Sequence, residues 1–210
     1  MRKVGRPKNP LSRERLLDAA AAQFARGYHA ASMADIARAC GIHKSSLFHH
    51  FASKEALYLE VVGDYIGRLG ALVLAATGPG DFLGRLDRLG EVVTDFLGEH
   101  PHAAALLLRE LMDEGPYVRL VGLDGVRHVV RMVSGFLAAG MAEGVIAPQD
   151  PRQLALSICG VHLTWFATGR VTSEVLEDDV FSPSQVAARK AAVTTQIRRI
   201  CGVARPGSKG

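Results

Sequence analysis

Gly41-Ile42-His43-Lys44-Ser45-Ser46-Leu47-Phe48-His49-His50-Phe51-Ala52-Ser53-Lys54 is the stretch on which the reading turns. Ile42, Leu47 and Phe51 are spaced to hold one side of a short helix over His43 to Phe51 against a core. Lys44, Ser45, Ser46, Phe48, His49 and His50 are then left pointing largely outward. Lysine and serine donate to base edges or phosphates, and imidazole can contact either. A helix this short fits the major groove of a DNA duplex, which is about 12 Å wide.

Working outward, Ser32-Met33-Ala34-Asp35 reads as a capping box with Asp in place of the usual Glu. It opens a second short helix whose inward residues are Met33, Ile36, Ala37 and Cys40. Gly41 follows, a residue able to take the left-handed conformation that closes a helix. Further upstream, Leu16, Leu17, Ala20, Ala21 and Phe24 mark one face of a first helix. Ser12 is its expected cap, Leu11 and Leu16 its hydrophobic staple, and Gly27 its end. Downstream, Ser53 caps a long fourth helix reaching about Ala76. Helix, tight glycine turn, helix is the layout of a helix-turn-helix.

The rest of the chain carries helical periodicity, without the β-branched alternation that would argue for a sheet. Helices are expected over 81–99, 102–113, 117–143, 151–169 and from Pro183 to about Val203, with breaks at Gly78-Pro79-Gly80, Pro101, Gly115-Pro116 and Pro148 to Pro151. Ser182, Pro183 and Gln185 form the start of the last one, as cap, first helical position and capping-box partner. The fold class is therefore all-α, about nine helices, with an N-terminal three-helix bundle and a larger helical body.

Charge is divided unevenly along the 210 residues. Residues 1–54 carry a net +7 and residues 55–210 a net −3, as a protein needs if one end meets a polyanion. Hydrophobic residues at 48% and charged residues at 22% exclude a wholly disordered or fibrous chain. Cys40, Cys159 and Cys201 are odd in number and show no CxxC spacing, so neither a disulfide framework nor a zinc site is expected. The basic start has no apolar run after it, and a cytoplasmic location is expected. No membrane span is expected at 153–169 either, since Gln, Ser, His and Thr interrupt a short stretch. His43, His49 and His50 lack a Cys or carboxylate to complete a metal site, and no metal or cofactor is expected. Gly78 to Gly84 misses the dinucleotide fingerprint by one residue, and no Walker loop, nucleophile elbow or HExxH occurs, so an enzyme is not expected.

Ser32, Ile36-Ala37, Cys40-Gly41-Ile42, Leu47-Phe48-His49-His50-Phe51 and Ser53-Lys54-Glu55-Ala56-Leu57 together resemble the DNA-binding signature of the TetR family of bacterial transcriptional regulators. The match covers residues 11–57, roughly the first quarter of the chain. His43 stands where family members commonly have Ser, and Phe48 and His49 stand where they commonly have Tyr. Phe48 lacks the hydroxyl for a phosphate bond, although its ring can pack on sugar or a thymine methyl, and His49 can restore a donor. The resemblance implies DNA contacts at Ser32, Met33, His43, Lys44, Ser45, Ser46, Phe48, His49, His50 and Lys54. Lys54 and Ser32 would meet phosphates, and Lys44 to Ser46 would lie nearest the bases. It also implies a basic arm at 1–11, a DNA-binding domain at 12–57, a ligand-binding and dimerisation domain at 58–204 and a tail at 205–210.

Charge-free 153–169 calls for burial on most sides, with a second copy of the chain as the expected outer partner. Val186, Lys190, Val193, Ile197 and Ile200 recur at coiled-coil-like spacing on the last helix. The family dimerises through its last two long helices, so the expected interface residues are Leu154, Ile158, Val161, Val186, Lys190, Val193 and Ile197. Such a homodimer reads two half-sites of a palindromic operator. The family also encloses a small-molecule pocket, for which the candidates are Phe96, Arg109, Tyr117, His128, Met132, Phe136, His162, Trp165 and Phe166. Arg109 is alternatively a partner for Asp113, four residues on. The expected function is a repressor released by an unknown small effector that tilts the fourth helix, where Gly63, Gly67 and Gly70 fall near one face. Two alternatives remain open: a helical small-molecule enzyme with a DNA-binding appendage, and a DNA-binding regulator without a ligand.

Overall fold

A computed structural model describes residues 13–203. The Leu11 staple, the Ser12 cap, the basic arm 1–11 and the tail 205–210 lie outside the described residues. Eleven helices and no strands occur among those described. They are α1 (Arg13–Phe24), α2 (Met33–Ala39), α3 (Lys44–His50), α4 (Lys54–Ala76), α5 (Phe82–Glu99), α6 (Ala103–Met112), α7 (Pro116–Leu120), α8 (Asp124–Ala142), α9 (Pro151–Ala167), α10 (Gly169–Leu176) and α11 (Pro183–Ile200).

Two helices beyond the expected nine arise at breaks in longer expected ones or after them. The single helix expected over 117–143 divides into α7 and α8 because Gly122 takes φ +83°, a left-handed conformation no helix interior accommodates. Past Ala167 the chain starts α10 at an angle of 74° to α9. No single helix among the described residues is long and apolar enough to cross a membrane.

The N-terminal bundle closes as its periodicity requires. Leu16, Leu17, Ala20, Ala21 and Phe24 are buried from α1, and Met33, Ile36 and Ala37 from α2, while Cys40 is half-buried. Ser32 Oγ accepts the Asp35 N–H at 3.1 Å, but the Asp35 carboxylate takes the Ser32 hydroxyl proton at 2.6 Å instead of completing a capping box. Gly41 at φ +66° turns the chain into α3, whose Leu47 is fully buried, with Phe51 buried and Ile42 packed beside them. Ser53 caps α4 through the Ala56 N–H at 3.0 Å.

α4 has 23 residues, about 34 Å at 1.5 Å per residue, and belongs to both cores of the molecule. Its first half, through Leu57, Tyr58, Val61, Val62 and Tyr65, joins α1 to α3 with Phe96 and Leu97 of α5 and Leu106 of α6. Its end, at Val73 and Ala76, joins the second core with Leu86, Leu89, Val133, Leu137, Leu154 and Ile158. Polar groups pin the junction. His100 Nδ1 lies 3.3 Å from Asp18 on α1, Arg68 reaches His100 Nε2 at 2.6 Å, and the Tyr65 hydroxyl donates to Asp18 at 3.2 Å. Interiors packed this closely transmit displacement, so α4 cannot move without disturbing the bundle.

The apolar seam of α11 faces inward, so Val193 and Ile197, expected at the dimer face, are covered within the chain itself. Val193 and Ile197 are fully buried against α5, where a Cβ built on Gly90 would lie 3.4 Å and 3.2 Å from them. Val186 comes within 2.8 Å of the equivalent position at Gly98. Lys190 pairs with Asp95 at 2.9 Å, and Arg198 donates from Nε to Asp87 at 2.7 Å, so charges flank the seam on the α5 side. Leu154 and Ile158 are buried in the same core, and Val161 is half-buried with its carbonyl taken by Arg189. Ser182 caps α11 as expected, but the Gln185 side chain goes to Asp178 at 2.6 Å instead of completing the capping box.

Candidate nucleic-acid interface and internal cavity

α3 presents its polar side to solvent. His43, Lys44, Ser45, His49 and His50 are exposed, Ser46 is half-buried, and Phe48 is 43% exposed with the Lys44 ammonium 5.7 Å from its ring. Exposing so much imidazole and aromatic surface on two turns is what a groove-facing helix needs. Met33 is corrected: at 6% exposure it belongs to the bundle core, because the residue after the Ser32 cap is on the buried face of α2. Ser32 is half-buried and spends its hydroxyl on the α2 cap. That hydroxyl, and then Arg38, hold the Asp35 carboxyl below its ordinary range.

Lys54 has a second task that the sequence did not announce. Its ammonium donates to the carbonyls of Tyr28 at 3.0 Å and Ala31 at 3.2 Å and lies 4.4 Å from the Tyr28 ring. It therefore clips the loop between α1 and α2 onto the start of α4.

In the body, a cavity of about 330 Å³ lies among α4, α5, α6, α7, α8 and α9. Val62, Ile66, Leu69 and Val73 form its α4 wall, and Val126, Val129, Val130 and Val133 its α8 wall. Exposed Leu111 and Leu156 lie among its lining, at the surface. The polar residues in the wall are Glu110, Tyr117, Cys159 and His162. Tyr117 and His162 were expected there. Seven other candidates do not line it. Phe96 is taken up by Tyr65 and Arg68, and Phe136 stacks on Phe82 at 4.6 Å. Phe166 packs on Phe181 at 5.8 Å, and the Arg189 guanidinium lies 4.3 Å from the Trp165 ring. Arg109 is half-exposed with Asp113 at 3.9 Å, His128 is exposed, and Met132 packs against the second core. Ile158, expected at the dimer face, lines the cavity instead.

Two wall residues carry the electrostatics. Glu110 is buried, with Oε1 accepting the Val118 N–H at 2.7 Å and Oε2 accepting the Tyr58 hydroxyl. Burial, and then that carboxylate, push the Tyr58 phenol well above its usual range. His162 is buried, and burial followed by the nearby Arg189 charge pulls its pKa down to about 4, so it is neutral at neutral pH. Glu110 and the aliphatic walls were missed in the sequence. The Val126, Val129, Val130, Val133 run at helical spacing was the available signal. Among the described residues no group of three His, Cys, Asp or Glu side chains is placed to hold a metal ion.

Residues 16–61 match the family described as bacterial regulatory proteins, tetR family, and residues 83–197 match the tetracyclin repressor-like C-terminal domain. The HTH-type transcriptional regulator RutR of Escherichia coli K12 is 26% identical over 171 residues, spanning 79% of this chain and 81% of RutR. The HTH-type transcriptional repressor KstR2 of Mycolicibacterium smegmatis is 38% identical over 112 residues, spanning 50% of this chain and 52% of KstR2. Among solved structures, AibR in complex with isovaleryl coenzyme A and operator DNA superimposes with a TM-score of 0.69 at 18% identity, over 91% of this chain and 98% of AibR. The exposed polar face of α3, the glycine turn before it and the eleven-helix architecture agree with both family matches: the chain belongs to the TetR family and is a helix-turn-helix, DNA-binding transcriptional regulator, not an enzyme.

Proposed function

We propose that the chain is a repressor that binds a palindromic operator as a homodimer and is released when a small molecule occupies the cavity. The observation that carries this reading is the position of α4. The same helix begins at the Lys54 clip beneath α3 and supplies Val62, Ile66, Leu69 and Val73 to the cavity wall. A ligand that fits the cavity better in one orientation of α4 than another shifts the population between them, and the separation of two recognition helices follows. KstR2 is named as a repressor, and AibR was solved with both an acyl coenzyme A and operator DNA, which supports the pairing of these two activities on one fold. The division into a DNA-binding unit at 12–57 and a ligand and dimer unit at 58–204 is part of this proposal.

The dimer face is proposed on the outward sides of α9 and α11. Gln153, Ser157, Gly160 and Thr164 are exposed on α9, and Ala188, Ala192, Thr195 and Arg199 on α11, each set at spacings of four, three and four. Arg189 ties the two helices together by donating to the Val161 carbonyl at 2.6 Å, so they present these rows as one surface. Small side chains allow the close helix approach that a four-helix interface needs. The test is selection of binding sites from a random duplex library followed by footprinting. A two-fold symmetric protected site supports the reading, whereas an asymmetric half-site bound by a monomer overturns the dimer.

A further inference from the structure

Resting on the proposal that the cavity is the effector site, we infer that its ligand enters with a bare hydrocarbon end: an aliphatic chain or ring lies against the walls without a hydrogen bond to them, and any polar group stays at the mouth beside Leu111, Leu156 and Gly160. The lining leads there first. Apart from Glu110, Tyr117, Cys159, Gly160 and His162, every residue in the wall is Val, Leu or Ile. No Lys or Arg is among them, so an anionic group brought inside would be desolvated without a counter-ion. A cavity of about 330 Å³ is at the small end of ligand pockets, roughly 300–1,000 Å³, which suits a single chain or ring.

The polar members of the wall are engaged elsewhere or closed off. Glu110 spends Oε1 on the Val118 N–H and Oε2 on the Tyr58 hydroxyl, and its carboxylate packs on the Gly115 backbone, where an added Cβ would collide with it. His162 Nε2 is buried with essentially no accessible surface, so it is closed to the hollow as well as to water. Burial pushes the Cys159 thiol up, which leaves it a neutral, weak donor. The Tyr117 hydroxyl lies against the backbones of α4 and α8, 3.9 Å and 3.7 Å from the points where side chains on Gly63 and Gly125 would begin. A polar group pushed among these walls loses its water and finds no partner. Hydrocarbon gains instead, because a hollow this poor in polar partners holds water weakly and each methylene entering it makes close contacts. The exposed members of the wall are Leu111, Leu156 and Gly160. A Cβ built on Gly160 meets nothing within 4 Å, so a head group has room there.

The test compares 1-hexanol, 1-octanol, octyl glucoside and 1,8-octanediol by calorimetry and thermal shift on the full chain. 1-Octanol should bind about tenfold or more tightly than 1-hexanol, since each buried methylene is worth about fourfold, and with a negative heat-capacity change. Octyl glucoside, whose bulky head has to stay outside, should bind within about threefold of 1-octanol. 1,8-Octanediol, which buries a hydroxyl wherever its chain enters, should bind about tenfold or more weakly than 1-octanol. Val130→Phe puts a ring into the hollow and should erase the preference for 1-octanol over 1-hexanol. Should that variant not fold, as judged by circular dichroism, the four-probe order on the unsubstituted protein decides alone. The diol bound as tightly as 1-octanol, octyl glucoside excluded, equal binding of the two alcohols, or no binding of any probe overturns the inference. DNA release is scored separately, on duplexes the protein itself selects. Release by the diol with no effect of 1-octanol keeps the effector site and refutes the ligand class. Binding in the expected order with DNA affinity unchanged keeps the class and refutes release.

Discussion

The Tyr58 hydroxyl donates to the Glu110 carboxylate, and through this pair the cavity wall is joined to the DNA-binding bundle. Tyr58 packs its ring edge-on against Phe24 at 4.9 Å and Tyr28 at 5.0 Å, and Tyr28 in turn supports the Lys54 ammonium. Glu110 also holds the start of α7 through the Val118 N–H. A ligand pressing on Glu110 therefore disturbs groups that position both α4 and α7.

Tyr58→Phe removes that bond and leaves one Glu110 oxygen without a partner in a buried site. The expected cost is about 1–3 kcal/mol, read as a fall of several degrees in melting temperature. DNA affinity without ligand should change little, whereas the factor by which ligand weakens DNA binding should shrink. An unchanged factor, measured by DNA titrations with and without ligand, would show that coupling runs by another route.

The dimer proposal separates two kinds of substitution on one helix. Val193→Asp places a carboxylate at a fully buried site against Gly90, and is expected to cost several kcal/mol and prevent folding. Ala188→Glu with Ala192→Glu alters exposed positions, and is expected to give a folded monomer with weakened DNA binding. Ultracentrifugation with circular dichroism distinguishes them. A folded dimer from the double glutamate variant would place the interface elsewhere.

How much was legible in the sequence follows from what periodicity encodes. The bundle was readable because α1 to α3 bury one another: Leu16, Phe24, Ile36 and Leu47 each lie on a face whose partner is a few turns away. On α11 the stripe Val186, Val193, Ile197 announced a buried face without saying what covers it, and the cover is α5 of the same chain. Gly90 and Gly98, two turns apart on α5, were the signal for that close approach. Phe96, Phe136, Trp165 and Phe166 do not reach the cavity because their rings pack on other rings or on a guanidinium, as Phe136 does on Phe82, while the hollow is left mainly to valines and leucines. Tyr58 and Glu110 meet across 52 positions, and nothing local in either segment points to the other.

Acid should weaken the fold through His162. Folded, the imidazole takes a proton only near pH 4, whereas in the unfolded chain it does so near its ordinary value of 6.5. Between those values the unfolded state binds more protons, so stability from this group is intact above about pH 6.5 and is lost as pH falls towards 4. The full loss is on the order of 3 kcal/mol. His162→Leu should flatten that part of a denaturation profile measured between pH 7 and pH 4, and an unaltered profile would mean the buried imidazole is not the titrating group.

Lys44 and Lys54 should separate base reading from backbone binding. Lys44→Ala is expected to weaken the selected site more than unrelated DNA. Lys54→Ala is expected to weaken both alike, to lower the slope of log affinity against log salt by about one, and to reduce the melting temperature because Tyr28 and Ala31 lose their donor. A lower melting temperature with an unchanged slope would leave the clip and remove the phosphate contact.

Footprinting on duplexes the protein selects from a random library shows most directly whether two copies present α3 to a symmetric DNA site and are released by a cavity ligand. Protection of two inverted half-sites centred about one helical turn, or a multiple of it, apart is the expected result. That protection should be lost in Lys44→Ala with His49→Ala, and lost on adding a compound that binds the cavity and raises the melting temperature. Enrichment of no sequence, or a footprint that survives both the α3 substitutions and the ligand, would contradict it.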